Sequence, residues 1–285
     1  MDKLPEITDL LAHRKTDATD DTEDSPDPQI EATAPLAPCL REHYRLLLSI
    51  RGTMGLAARA EEVARRAGLL VGDKPTDVGS RRGGPVESMR AFRQELALFL
   101  EMALTRATDN FLFYLSELLT LAFKENPEML KATLGQSGQG RGRQQEVVPL
   151  EDVLEYQTID DLRQAIVERR VTNLSYRGMR SLAEYMDGQL GFAVFEHGDD
   201  LNRAVDIVER RNLIVHNRAV VNRHFLTKVP DPTRYQLGVA LAFEVNAISD
   251  DLYFIANAAR RIDARAATKW SLPTISIRLR SFFEF

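Results

Sequence analysis

The sequence predicts an all-α helical bundle preceded by a disordered acidic N-terminal tail. Three observations carry this prediction. Over residues 87–124, Phe92, Leu96, Phe99, Ala103, Ala107, Phe111, Tyr114, Leu118 and Ala122 recur every three or four positions, which places them on one helical face. Over residues 237–262, Leu237, Leu241, Val245, Ile248, Leu252, Ile255, Ala259 and Ile262 form a nearly heptad seam suited to packing on another helix. Between the periodic stretches lie clusters of glycine and proline, the residues that punctuate helices.

The elements follow in order. Residues 1–38 are rich in Asp, Thr, Pro and Ala and poor in large apolar residues, so they bury too little to offset their ordering entropy. Residues 40–70 read as helical, with Gly52 and Gly55 as points of division, and 71–86 as a Gly/Pro linker. The 87–124 helix stops at Asn126-Pro127, and the glycine-rich basic stretch 135–145 is a loop. Helices resume over 150–186 in two pieces, broken near Tyr176-Arg177-Gly178, with Ser181 as a cap for the second. Asp199 or Asp200 caps a helix over about 200–223, and Pro230-Asp231-Pro232 turns the chain into the last long helix. Residues 274–280 alternate apolar and polar, as in a short strand or ordered tail.

Composition bounds the function classes. Residues 1–32 hold ten acidic and three basic residues, leaving 34 basic and 32 acidic residues elsewhere, so the part expected to fold is near neutral. The acidic tail therefore does not argue against a nucleic-acid partner. Cys39 is the single cysteine, which rules out an intramolecular disulfide and a cysteine-based zinc cluster and fits a reducing, cytoplasmic setting. No uncharged apolar run approaches the roughly 18 residues of a membrane span. The acidic N-terminus does not resemble a secretory signal.

The helix around 200–223 carries the chemistry. Leu201, Val205, Val208, Leu213, Ile214, Val215, Ala219, Val220 and Val221 crowd it, and the Leu213-Ile214-Val215 triplet is expected to be enclosed by protein. Arg210, Arg211, Asn212, His216, Asn217 and Arg218 sit in the same stretch, and Glu209, Asn212, His216 and Arg223 line one polar stripe. Buried polar groups cost about 1–3 kcal/mol each when unpaired, so such a helix is expected to border a cleft or an interface.

Arg211-Asn212-Leu213-Ile214-Val215-His216, within Glu209–Asn222, resembles the Arg-x(4–6)-His motif of HEPN domains. These are helical bundles of toxin–antitoxin, abortive-infection and RNA-processing systems. The resemblance covers about 85–265 in architecture and 205–225 in specific residues. Together with the composition, this divides the chain into a tail (1–38), a helical extension and linker (39–84) that the resemblance does not cover, a HEPN-like domain (85–268) and a C-terminal tail or short strand (269–285). The resemblance implies a metal-independent endoribonuclease without cofactor, acting as a homodimer on RNA in phage defence or stress response, alongside an antitoxin or defence-system partner. Its products would carry a 2′,3′-cyclic phosphate and a 5′-OH.

The roles implied are chemically coherent. Histidine titrates near neutral pH, so His216 suits proton transfer to or from the reacting oxygens. Arg211 offers planar donors to a transition state gaining negative charge. Asn212 and Asn217 support the site, and Arg210 and Arg218 are candidate RNA contacts. Arg211 and His216 stand about 140° apart on an ideal helix, a gap the family closes by bringing two motif helices together. The family's facing polar residue on an early helix would be Asp109 or Asn110, with Asp109 preferred. One departure is Arg218, which stands where toxins paired with nucleotidyltransferases carry tyrosine. Two other readings fit the same residues: a non-catalytic HEPN RNA-binding or protein-interaction subunit, and a helical scaffold without an RNA role.

The remaining candidates read as structural. Glu196–Asp200 is a loop and helix cap rather than a metal site; His43 sits on a polar helix face; Phe111, Phe113 and Tyr114 are core; Arg141–Arg143 is a solvated linker.

Overall fold

Apolar periodicity becomes buried surface along three long helices. The computed structural model describes residues 29–66, 70–71, 74–75, 85–130, 156, 158–175 and 178–278, with the backbone alone for 60, 61, 64, 65, 70–71, 74–75, 85–94 and 175. Strand β1 (Gln29–Thr33) leads into helix α1 (Leu36–Arg66), and the short strands β2 (Leu70–Val71) and β3 (Lys74–Pro75) pair antiparallel. Then come α2 (Pro85–Glu125), α3 (Ile159–Ser175), α4 (Met179–Leu190), α5 (Gly198–Asn217), α6 (Arg223–Lys228), α7 (Val245–Trp270) and strand β4 (Thr274–Arg278). The chain is a mostly helical bundle, as expected. No helix among the described residues is long and apolar enough to cross a membrane.

Helices α1, α2 and α7 pack on one another, α3 and α5 lean on α2, and α4 covers α5. The predicted α2 stripe is the inner face: Ala103, Ala107, Phe111, Tyr114, Leu118 and Ala122 are all buried. Pro85 opens α2 at a position where a missing N–H costs nothing. At its other end, Asn126 Nδ2 donates to the Trp270 carbonyl (3.0 Å) and ties the ends of α2 and α7 together. Trp270 lies nearby against Phe192, ring centroids 4.8 Å apart.

Several boundaries differ from the sequence reading, each for an identifiable reason. The predicted tail, 1–38, is folded from Gln29 onward, because Ile30, Ala32 and Leu36 are core residues. β1 pairs antiparallel with β4, Ile30 facing Ile277, so the strand expected near 274–280 has its partner inside that tail. Residues 39–66 are no separate extension: Leu40, Tyr44, Leu47 and Ile50 join the same core as α2 and α7. Gly178, at φ +85°, precedes α4 in place of the expected Ser181 cap. His197 precedes α5, and Asp199 and Asp200 fall in its first turn, where carboxylates suit the helix dipole. The tail through residue 28, the loop 135–145 and residues 279–285 lie outside the described residues.

The apolar seam also overreached. Ile248, Leu252, Ile255, Ala259 and Ile262 are buried in α7, but Leu237 and Leu241 precede that helix. Their segment is engaged elsewhere. Val221 N donates to the Val239 carbonyl (2.9 Å), Gly238 N to Val221 (2.8 Å) and Leu241 N to Ala219 (2.9 Å). Amides bonded in this way are not available to a helix.

A buried carboxylate joins three elements. Asp263 on α7 accepts from the Thr33 backbone N–H (2.8 Å), the Thr33 hydroxyl and the Tyr114 hydroxyl (3.2 Å). Burial raises its pKa above the usual carboxylate value. Asp263→Ala leaves the Thr33 donors without their acceptor in the core, with an expected loss of about 2–3 kcal/mol in urea unfolding. Asp263→Asn, which keeps an acceptor oxygen, is expected to lose less.

Candidate active site

Helix α5 changes character along its length. Ala204 through Glu209 are six consecutive buried residues on a helix packed against α2 and α4. Leu213 is buried against Val221, Phe225 and Val229, Ile214 is half-buried, and Val215 is 48% exposed. The Leu213-Ile214-Val215 triplet is thus not wholly enclosed. The helix leaves the core within the motif and brings its last turn to the surface.

Arg211 and Asp109 come together as an ion pair. Arg211 Nη2 lies 2.6 Å from Asp109 Oδ1 on α2, and Arg211 Nη1 donates to Asn212 Oδ1 (3.1 Å). Asn212 Nδ2 faces Glu209 Oε2 at 3.5 Å. The third guanidinium nitrogen, Nε, is buried without a hydrogen bond among the described residues. Asp109 is 41% exposed and Arg211 24%, so the pair is a surface pair with one sheltered side.

His216, in the last turn of α5, is exposed. Its ring makes no hydrogen bond among the described residues. Asn217 folds back, its Nδ2 donating to the Val220 carbonyl (2.5 Å), and stabilises the turn beyond the helix. Arg218 and Ala219 both adopt left-handed backbone, φ +53° and +59°, and Ala219 N bonds to the Leu213 carbonyl (3.1 Å). Helix α5 therefore stops at Asn217. Arg223 belongs to α6, whose cap is Asn222 accepting from Phe225 N (2.8 Å), so the polar stripe ends at His216.

Arg210 sits differently from the expected RNA contact. It pairs with Asp206 Oδ2 (3.0 Å) and Asp251 Oδ2 (2.5 Å), and its side chain is only 15% exposed. Arg203 shares Asp251 (3.2 Å), and the Tyr235 hydroxyl donates to Asp206 (2.6 Å). Arg210 is occupied in joining α5 to α7. Arg218 remains exposed at the end of the motif. His197 stands at the N-cap position of α5 without a side-chain capping bond, and Asp200 pairs with Arg261 (3.1 Å), so Glu196–Asp200 is a loop running into the first turn of the helix. Among the described residues, no group of three or more His, Cys, Asp or Glu side chains could hold a metal ion.

Beneath Asp109 lies a buried polar contact that sequence reasoning missed. Asn110 Nδ2 donates to the Cys39 carbonyl (2.9 Å) and lies 3.0 Å from His43 Nδ1, which is itself 2.9 Å from that carbonyl. His43 is fully buried rather than on a polar face. The signal was present: Leu36, Leu40, His43, Leu47 and Ile50 step by 4, 3, 4 and 3 along the inner face of α1. Beside this contact, an open cleft of about 420 Å³ runs between the start of α1 and α2, bordered by Pro35, Cys39, Asp109, Phe113 and Glu117. Phe113 is 61% exposed, so it is not core.

Two predictions arise here. Burial lowers the His43 pKa from 6.5 to about 4. As pH falls from 6.5 to 4, the unfolded chain takes up a proton at His43 that the folded protein refuses. Stability should therefore drop by up to roughly 3 kcal/mol across that window. Urea unfolding between pH 4 and 7 should show a shallower dependence for His43→Leu than for wild type. Separately, Arg218→Gly should relieve left-handed strain and raise stability by about 1 kcal/mol in the same assay.

Compared with family models, with curated proteins and with solved structures, the chain matches none.

Proposed function

We propose that the protein is a HEPN-type metal-independent endoribonuclease acting in phage defence or stress response, with Arg211 and His216 at its centre. The observation that supports this most is the ion pair between Arg211 of the motif and Asp109 of α2, with Asn212 beside it and His216 on the surface. In the reaction, the 2′-oxygen of one nucleotide attacks the adjacent phosphorus and the bond to the 5′-oxygen breaks. One histidine takes the 2′-hydroxyl proton and another donor returns a proton to the leaving oxygen. The guanidinium neutralises charge gathering on the phosphoryl oxygens.

A homodimer supplies what one copy lacks. Arg211 turns inward to Asp109 while His216 faces solvent, so a single chain offers one proton-transfer group. A two-fold related copy would add a second His216 and its own Arg211. The exposed apolar residues Val215, Leu237 and Val239 occur in the motif turn and in the segment before α7, and they offer surface for such a contact.

One observation favours a second reading, a non-catalytic RNA-binding or interaction subunit. Arg211 already holds a carboxylate at 2.6 Å, and a phosphate must displace it to gain both terminal nitrogens. The two readings separate in one assay. Purified protein is incubated with total RNA and tRNA in excess EDTA, wild type beside His216→Ala and Arg211→Ala. The nuclease reading expects wild-type cutting that leaves 2′,3′-cyclic phosphate ends, and a loss of at least ~100-fold in His216→Ala. RNA binding without cutting by folded, dimeric wild type would establish the second reading instead.

A further inference from the structure

We propose that the cleft between the start of α1 and α2 is a nucleobase subsite selective for guanine, placed to hold the nucleotide whose phosphate meets Arg211. The choice of nucleotide rests on the ribonuclease reading; the cleft itself rests on geometry. Its wall on α2 is one helical face, Arg106, Asp109, Phe113 and Glu117 recurring at steps of three and four. Asp109 is common to the cleft and to the Arg211 pair, so the cleft begins where the motif ends.

Distances along the helix suit a nucleotide. From Asp109, Phe113 lies about 6 Å and Glu117 about 12 Å further along the axis at 1.5 Å per residue. A phosphate at Arg211 therefore puts its base beside Phe113 and the edge of that base toward Glu117. Phe113 is a large apolar side chain left 61% exposed, and an aromatic ring open to solvent is a stacking platform for a base. Pro35 and Pro38 form the opposite, rigid wall.

Glu117 gives the selectivity. It is half-buried, and no hydrogen bond or ion pair engages it among the described residues. Burial raises its pKa above the usual carboxylate value. An ionised carboxylate has acceptors only, two oxygens side by side. Guanine alone among the four RNA bases presents two adjacent N–H donors, N1 and the exocyclic N2, on its pairing edge. Cytosine and adenine present one donor group beside an acceptor, and uracil one imide N–H between two carbonyls. Arg106, held by Glu42 at 2.9 Å, stands at the other end of the face, one turn before Asp109.

The test is direct binding of the four nucleoside 3′-monophosphates to full-length protein by calorimetry, which requires no cleavage. The expected result is saturable binding of 3′-GMP at least ~10-fold tighter than that of 3′-CMP, 3′-AMP or 3′-UMP. Phe113→Ala should weaken all four by ~5-fold or more, since stacking contributes about 1–3 kcal/mol per base. Glu117→Gln should remove the preference for guanine while leaving sedimentation unchanged. No binding, or equal binding of all four that both variants leave intact, overturns the subsite. So does a Phe113→Ala variant that dissociates a dimer without altering nucleotide affinity, which would make the cleft a contact between copies. Guanine-selective binding by a protein that cuts no RNA keeps the subsite and removes the nuclease reading. Cutting of RNA with no base preference does the reverse.

Discussion

The Asp263 carboxylate is where the bundle closes on itself. It gathers the Thr33 donors from β1 and the Tyr114 hydroxyl from α2 at one buried point of α7. Without that acceptor, the first described strand has only β4 and the apolar contacts of Ile30 and Ala32 to hold it. The node also fixes α2 against α7, and α2 is the helix that carries Asp109, Asn110, Phe113 and Glu117. The position of the candidate site is in this sense inherited from the core, through a helix that is buried on one face and carries the candidate residues on another.

Helix α5 resolves the conflict between an apolar sequence and a polar motif by moving. Its middle is enclosed and its charges there are matched: Arg210 by Asp206 and Asp251, with Tyr235 completing the arrangement. At the next residue the helix is leaving the core, and Arg211 finds its carboxylate across the helix boundary on α2. The left-handed residues Arg218 and Ala219 then stop the helix within two residues of His216. Two adjacent arginines thereby acquire different positions, Arg210 as an internal brace and Arg211 at the surface. An arginine pair in sequence does not announce that division.

Periodic apolar residues made α2 and most of α7 legible, because a stripe at helical spacing has few other uses in a folded chain. Asp109 was reached by another route: the HEPN resemblance implied a polar residue on an early helix facing the motif, Asp109 or Asn110, and it is Asp109 that pairs with Arg211. The misreadings share a cause. Leu237 and Leu241 continue the α7 rhythm, but their backbone is committed to residues 219–221, a long-range pairing that local spacing does not encode. β1 was hidden within an acidic, proline-rich stretch because its partner, β4, is more than 240 residues away. His43 was assigned by residue type when its position in the Leu36–Ile50 stripe placed it inside. Arg210 had Asp206 four residues before it, a visible helical pair, but Asp251 was out of reach of any local argument.

The single tryptophan of the chain, Trp270, is buried at the far end of α7 against Phe192. It also caps the α2–α7 junction through its carbonyl. Its indole is thus an optical label for one corner of the molecule, where α7 meets the end of α4 and the end of α2. Intrinsic emission selected at long wavelength reports whether that corner is intact. It is not a neighbour of Phe113 or Glu117, whose cleft is bordered instead by Tyr114. A helix end coming loose at that corner therefore has its own spectral address in the native chain, without any dye or added residue.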